Sequence, residues 1–366
     1  MSSSLSGSLW VLILYDVAEE IRLDQLRSVL GVQPSQREPS FRHPAPDYVR
    51  FERPPVEESV NVESLGSGAP VSGRLKYFDY GVVSLEVELR FNTDWTGLVS
   101  LASRWIGAPE IEARAESLVR QSVERARPAF HQPYQSWLNE DYYIVHLCQA
   151  PGADGQPLRT ADLLSAHGGE VAQIVRGESL PLSDGERNEV LRSSMSYYPS
   201  DLFVAGWVGA FIYDTPEGAI PARQLLEYAN TQLLEFRHYD DVLTRVLADV
   251  YQSLERRGGL FRRWRLAAEA ERLNRIRLEV IELSERTDNA IKFLSDMFYA
   301  RAYRMASDRV GVTDYRKLVE EKLRTAGELY DFMMNGFHQA RAFVLEFLVV
   351  AILIIELGNL FLFHRP

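Results

Sequence analysis

The chain has 366 residues, 46% of them apolar and 25% charged, a composition that folds and is long enough for two compact domains or one domain with a helical appendage. Its net charge of −11 has the wrong sign for a protein whose main ligand is nucleic acid, because phosphate binding needs a surplus of Lys and Arg. The single cysteine, Cys148, excludes an intramolecular disulfide and a Cys-rich metal centre, and its place in an apolar run reads as a buried strand thiol.

Met1–Ser8 is Ser-rich and without Lys or Arg, the first Arg being Arg22, so neither a secretory signal nor a mitochondrial presequence is expected. Leu9–Asp16 reads as a buried strand, too short in its apolar run to span a membrane, and an amphipathic helix follows over Glu19–Leu30. Residues 33–72 read as loop, punctuated by Pro34, Pro39, Pro44, Pro46, Pro54, Pro55 and Pro70 and by Gly66-Ser67-Gly68. Arg74–Phe91 alternates: Leu85, Val87 and Leu89 point one way, while Glu86, Glu88 and Arg90 point the other. This predicts a half-exposed strand. Helices are expected over Asp94–Ile106 and Pro109–Arg125, the second stopped by Pro128.

The second half repeats this order. Tyr142–Cys148 reads as a strand, residues 160–176 and 184–193 as helices, and Asp201–Asp214 as an apolar strand. The recurrence predicts an α+β fold over residues 1–215 and suggests a duplication of ferredoxin-like halves. From Ala219 the reading is helical: one helix to about 256 with a turn at Gly258-Gly259, and a second over 262–306. A loop at Ser307–Val312 follows, then a third helix N-capped by Thr313 or Asp314 and running to Phe363. At 1.5 Å per residue the third helix would be ~75 Å long. Residues 219–341 thus form a coiled-coil-like stalk of long helices.

The third helix carries the clearest pattern in the chain. Val319, Leu323, Ala326, Tyr330, Met333, Phe337, Ala340, Val344, Phe347, Ala351, Ile354, Gly358 and Phe361 follow one another by fours and threes. Such a heptad seam either joins copies of the chain or packs on the chain's own helices. Small residues at Ala326, Ala340, Ala351 and Gly358 suit close backbone approach.

Within that helix, Ala342–Phe363 is apolar and long enough for a ~30 Å hydrocarbon core, which predicts a C-terminal transmembrane helix with the large domain on the cytoplasmic side. Its polar residues are Glu346, Glu356 and Asn359, which in a bilayer would sit near an interface, protonate, or face a bundle interior. A straight hairpin of the last two helices would set Arg277 level with Ala342 and place Arg262, Arg263 and Arg265 beside the apolar segment. Five Arg (with Arg256 and Arg257) do not sit in lipid, so the helices must splay or bend, or protein must cover the segment. Leu260–Arg265 mixes apolar, aromatic and basic residues as membrane-surface segments do, or forms a solvated hairpin tip.

No phosphate-binding loop, dinucleotide fingerprint, H-E-x-x-H or G-x-S-x-G is present, so no cofactor or catalytic residue is assigned. Glu235-x-x-His238, with Glu227 and Asp241 nearby, could chelate a metal, but di-metal bundles use two such motifs. A polar helix face accounts for it better. His146 on its strand reads as a hydrogen-bonded structural residue, and His43, His131 and His167 have no partner spacing.

Glu321-Lys322-Leu323, Glu328-Leu329, Asp331, Met333 and Asn335, then Leu345-Glu346-Phe347 and, after an apolar run, Glu356-Leu357-Gly358, resemble the C-terminus of the "required for meiotic nuclear division" family. There a helix of the same spacing leads into a terminal apolar anchor. Tyr77–Val83 (YFDYGVV) is similar to that family's aromatic–Gly–apolar strand, although the Trp that often follows is missing and Val344 stands where Arg is common. The specific part covers about 45 residues. The resemblance implies a non-enzymatic, membrane-anchored, oligomeric protein. The mitochondrial members are inner-membrane proteins that support organellar translation, and the lack of a presequence favours a bacterial member.

Three readings follow. The first is a membrane-anchored, self-associating scaffold whose α+β domain binds an unidentified protein partner. The second is a soluble oligomer that buries its apolar C-terminal helix. The third is an enzyme with a metal on the Glu235/His238 face.

Overall fold

The computed structural model describes residues 4–31, 53–62, 71–105, 109–149, 157–255, 260–289 and 297–363, some by backbone alone. Most of the Pro-rich segment, with Gly66-Ser67-Gly68, and the turn at Gly258-Gly259 lie outside the described residues. So do the side chains of Arg256, Arg257, Arg262, Arg263 and Arg265. The chain divides into two compact units: residues 1–238 with 285–316, and residues 239–284 with 317–366.

The first unit is mixed α+β, as expected. Its strands are β1 (Leu5–Ile21), β2 (Val56–Val62), β3 (Val71–Tyr77), β4 (Val82–Thr93), β5 (Phe130–Cys148), β6 (Ser194–Met195), β7 (Leu202–Ala205) and β8 (Gly209–Asp214). They form one sheet in the order β2-β3-β4-β1-β5-β8-β7-β6. Helices α1 (Leu23–Leu30), α2 (Trp95–Ser103), α3 (Pro109–Arg125), α4 (Thr160–Arg176) and α5 (Asp184–Leu191) belong to this unit. So do the first part of α6 (Ala219–Glu255), the helix α8 (Met297–Val310) and the start of α9 (Val312–Phe363).

Read outward from the centre, the order is β1-β4-β3-β2 on one side and β5-β8-β7-β6 on the other. The positions match, but the directions do not. β1 runs antiparallel to β4, whereas β5 runs parallel to β8. The two halves are therefore not copies of one motif, and the ferredoxin-like duplication is not confirmed.

Alternation along β1 sorts its side chains to two faces. Leu9, Val11, Ile13, Tyr15 and Val17 enter a core with Leu98, Val99 and Ala102 of α2, Ala115, Val119 and Val123 of α3, and Val171, Ile174 and Val175 of α4. Trp10 and Asp16 on the opposite face meet α6. With both faces covered, the centre of the sheet reads as near-continuous apolar strand. The expected strand Arg74–Phe91 is two strands joined by a tight turn at Phe78–Gly81. Gly81 takes φ +99°, and a Cβ there would lie 1.7 Å from the Ala18 carbonyl oxygen of β1. Only glycine fits that turn against its neighbour.

In the second unit, the rest of α6, α7 (Leu260–Asn289) and the main part of α9 pack together. Val246, Leu247 and Val250 of α6, Ala270 and Leu273 of α7, and Ala326 and Met333 of α9 form its core. Arg272 of α7 pairs with Asp249 of α6, and Lys322 of α9 pairs with Asp240 of α6 at 2.5 Å. The expected second helix, 262–306, is two helices, α7 and α8. Arg277 stands against Gly327, not level with Ala342 as a straight hairpin of the last two helices would set it.

Ala342–Phe363 is helical, the end of the 52-residue α9. Among the described residues, however, no helix is long and apolar enough to cross a membrane. The described side chains from Arg341 to Gly358 include three charges, Arg341, Glu346 and Glu356, and each is costly near the middle of a bilayer, at ~2.5–3.5 kcal/mol for Arg or Asp on insertion scales. This overturns the expected transmembrane helix, the single-pass membrane localisation and the orientation with a cytoplasmic large domain. Glu346 and Glu356 are exposed positions on a helix rather than intramembrane polar residues, and the side chain of Asn359 lies outside the described residues.

Candidate functional site

Two places concentrate unusual chemistry. The first is a charged layer between α6 and the sheet. On α6, Arg223, Glu227, Thr231, Glu235 and His238 recur at helical spacing on one face. That stripe faces protein: Glu227, Thr231 and Glu235 are all buried. Lys76 of β3 reaches Glu227 at 2.5 Å and Glu86 of β4 at 3.0 Å. Arg223 approaches Glu86 at 3.4 Å, with its guanidinium stacked 3.4 Å from the centre of the Trp10 ring. Ser84 donates to Glu227 at 2.7 Å. Two cations and two anions thus balance inside the protein.

The titration of the group follows from this arrangement. Burial acts to lower the Lys76 amine, but Glu227 and Glu86 outweigh it and hold the amine above its ordinary value. Burial acts to raise Glu86, but Lys76 and Arg223 hold it below the usual carboxylate range. Burial prevails at Glu227, which lies above that range although Lys76 is closer to it. The second cation, Arg223, stands beside Glu86 and accounts for the difference.

Further along α6, His238 Nδ1 lies 2.7 Å from Asp16 Oδ2 of β1, and its ring stacks on Tyr134 with centroids 4.7 Å apart. Asp16 is 1% exposed, and burial raises its pKa while His238 opposes that. Arg237 pairs with Glu140 of β5, and Tyr80 Oη is 2.8 Å from Thr231 Oγ1. The Glu235/His238 face is therefore closed against the sheet rather than solvated. Among the described residues no group of three His, Cys, Asp or Glu is arranged to hold a metal ion.

At the edge of this layer His146 Nε2 lies 3.2 Å from the Asp214 carbonyl oxygen, and burial lowers its pKa. The Asp214 carboxyl is pushed up to about 6, chiefly by burial, while the Thr215 backbone N–H donates to it at 2.6 Å. Cys148 closes β5, half-buried, with its thiol raised by burial.

The second place is the seam of α9. Ala326 and Met333 are buried in the core of their own unit, with Tyr330 packed against it. Leu323 and Phe337 are half-buried, and the side chain of Ala340 lies outside the described residues. Beyond it the burial falls. Val344 and Ala351 are half-buried, while Phe347 is 67% exposed. Phe343, Leu345, Leu348, Val349, Val350, Ile352, Leu353, Ile354, Ile355 and Leu357 are exposed as well. The structure thus joins the first seam residues to α6 and α7 of the same chain and leaves Phe347, Ile354 and Gly358 exposed. Sequence reasoning missed Lys76, Glu86, Arg223 and Asp16. Glu86 sits in a strand that alternates as a half-exposed one would, yet it is only 4% exposed.

Residues 6–219 match the family described as "Uncharacterized protein MJ0711, N-terminal domain". The chain belongs to this family. Uncharacterized protein MJ0711 of Methanocaldococcus jannaschii is 21% identical over 187 residues, which cover 51% of this chain and 57% of the relative. The chain thus matches a little over half the length of that relative. No solved structure matches the chain. The family match ends where α6 begins, so it takes in the whole sheet but not the seam of α9.

Proposed function

We propose that the protein is a non-enzymatic, self-associating scaffold, a soluble oligomer in which the apolar end of α9 is buried against other copies of the chain. Its α+β unit carries the surface for a protein partner. One observation carries this reading: eleven large apolar side chains between Phe343 and Leu357 are each at least half exposed. They present on the order of 1,000 Å² of apolar surface, more than a single chain ordinarily leaves to water and above the ~800 Å² per partner of a standard interface. The seam runs through this segment, which supports a helix as the covering element. The charged layer under α6 supports a structural role, because Lys76 and Arg223 are matched by Glu86 and Glu227. The resemblance of residues 321–358 to the "required for meiotic nuclear division" family supports the oligomeric part of the reading. The anchor of that family does not carry over.

Light scattering of the purified full chain tests the proposal. An oligomer that Phe347→Lys with Ile354→Lys converts to a folded monomer is the expected result. A monomeric wild type at micromolar concentration would refute self-association.

A further inference from the structure

We infer that the second copy docks on the end of α9 in the antiparallel direction. This rests on the self-association reading and specifies the geometry of the same surface. The seam that carries Ala326 and Met333 is occupied by α6 and α7 of the same chain. Val344, Phe347, Ala351, Ile354 and Gly358 continue that seam on the same helix. A partner helix lying parallel on this face would have to pass through the space that α6 and α7 fill. An antiparallel partner enters from the opposite end and stops where they begin.

An antiparallel seam sets each position opposite its complement in the heptad. In the register that overlaps the apolar run Ala342–Phe363 end to end, Phe347 of one copy lies level with Gly358 of the other, and Ile354 lies level with Ala351. Phe347 and Ile354 then each meet a small residue, as close packing requires, while Val344 lies level with Phe361. A parallel pair would set Phe347 against Phe347 and Gly358 against Gly358, with crowding in one layer and a void in the other.

On a wheel of 100° per residue, Glu346 and Glu356 fall on the side of α9 away from Phe347, Ala351 and Ile354. Both carboxylates therefore stay in water when the seam is covered. Leu345, Val349, Ile352 and Leu353 share that back face and are exposed. The pairing is two-fold symmetric, so the number of copies is even.

Disulfide trapping in the full chain with Cys148→Ser tests the direction. Phe347→Cys on one copy and Gly358→Cys on another should cross-link when mixed, as should Ala351→Cys with Ile354→Cys. Phe347→Cys alone should not self-link, because in this register the two sulfurs lie roughly 16 Å apart along the helix, beyond the reach of a disulfide. Self-linking of Phe347→Cys, an odd number of copies by light scattering, or failure of both mixed pairs in an oligomeric sample would overturn the antiparallel geometry and leave self-association standing. A monomer by light scattering refutes both together.

Discussion

Replacing Lys76 by Met removes the amine that two carboxylates share. At 2.5 Å and 3.0 Å, with an effective dielectric constant near 20, each contact is worth about 5–7 kcal/mol before desolvation. Glu86 keeps Arg223 at 3.4 Å, but Glu227 keeps only the Ser84 hydroxyl among the contacts described above. A buried pair broken from one side costs about 3–5 kcal/mol, because an uncompensated charge remains. For a unit of this size that corresponds to a Tm lower by about 10 °C. The loss should depend on pH. Glu227 already lies above the usual carboxylate range through burial, and without the amine it takes up a proton more readily. The deficit of Lys76→Met should therefore be larger at pH 8 than at pH 5. Adding Glu227→Leu removes the stranded charge and should restore most of the stability, since apolar replacement of a buried pair is often neutral. Urea unfolding of the wild type, the single and the double variant at both pH values measures all of this. If Lys76→Met cost less than about 1 kcal/mol and the double variant were no better, the balance of charges under α6 would not be what holds the helix on the sheet.

Asp214→Asn should stabilise the protein above pH 6 and change nothing below pH 4, as read by thermal melts across pH. The folded state raises this carboxyl from 3.8 to about 6, so the group's contribution is present below its unfolded value and is lost as pH rises through 6. Asn keeps an acceptor for the Thr215 backbone N–H. His238→Ala should leave the Asp16 carboxylate buried without its imidazole and cost roughly 2–4 kcal/mol by urea unfolding at pH 8. The cost should shrink on acidification, because burial already raises Asp16 and its protonation relieves the unpaired charge. Gly81→Ala should cost at least about 2 kcal/mol, since the added methyl meets the Ala18 carbonyl oxygen and φ is +99°. A chemical-denaturation midpoint equal to the wild type would show that the turn can move away from β1. Met333→Lys should unfold the bundle of α6, α7 and α9, seen as lost helical circular dichroism, whereas Phe347→Lys should leave the helical signal intact.

Much of the fold was legible in the sequence because its strands alternate or run apolar and its helices carry caps. Ser183 and Asp94 cap α5 and α2 through their side chains, and both helices lie where local sequence places them. The start of α6 at Ala219 and the full course of α9 to Phe363 were equally plain. The sheet's directions were not. Nothing local distinguishes β5, parallel to β8, from β1, antiparallel to β4, because that choice is made by how the intervening chain crosses the sheet. The charged layer was hidden for a related reason. A Glu at alternate spacing and a polar stripe at helical spacing are the ordinary marks of solvent. They become interior only when the two polar faces are laid on each other with opposite charges in register.

The seam shows the same limit in a sharper form. Its spacing is unbroken from Val319 to Phe361, so periodicity cannot say where one partner ends and another begins. What divides it is the length of the neighbouring helices. α6 ends at Glu255 and α7 begins at Leu260, while α9 continues for 52 residues and outruns both. With Arg277 against Gly327 and equal rise in both helices, the start of α7 lies about level with residue 344. Near that level the seam loses its burial: Met333 is 1% exposed, Val344 is half-buried and Phe347 is 67% exposed. Its first part closes the chain's own bundle, and its last part is the surface proposed above to meet another copy. An apolar run at the end of such a helix reads from sequence as a membrane span. The structure gives it a different physical setting, an extension of a bundle seam on which the covering helices of the same chain have ended.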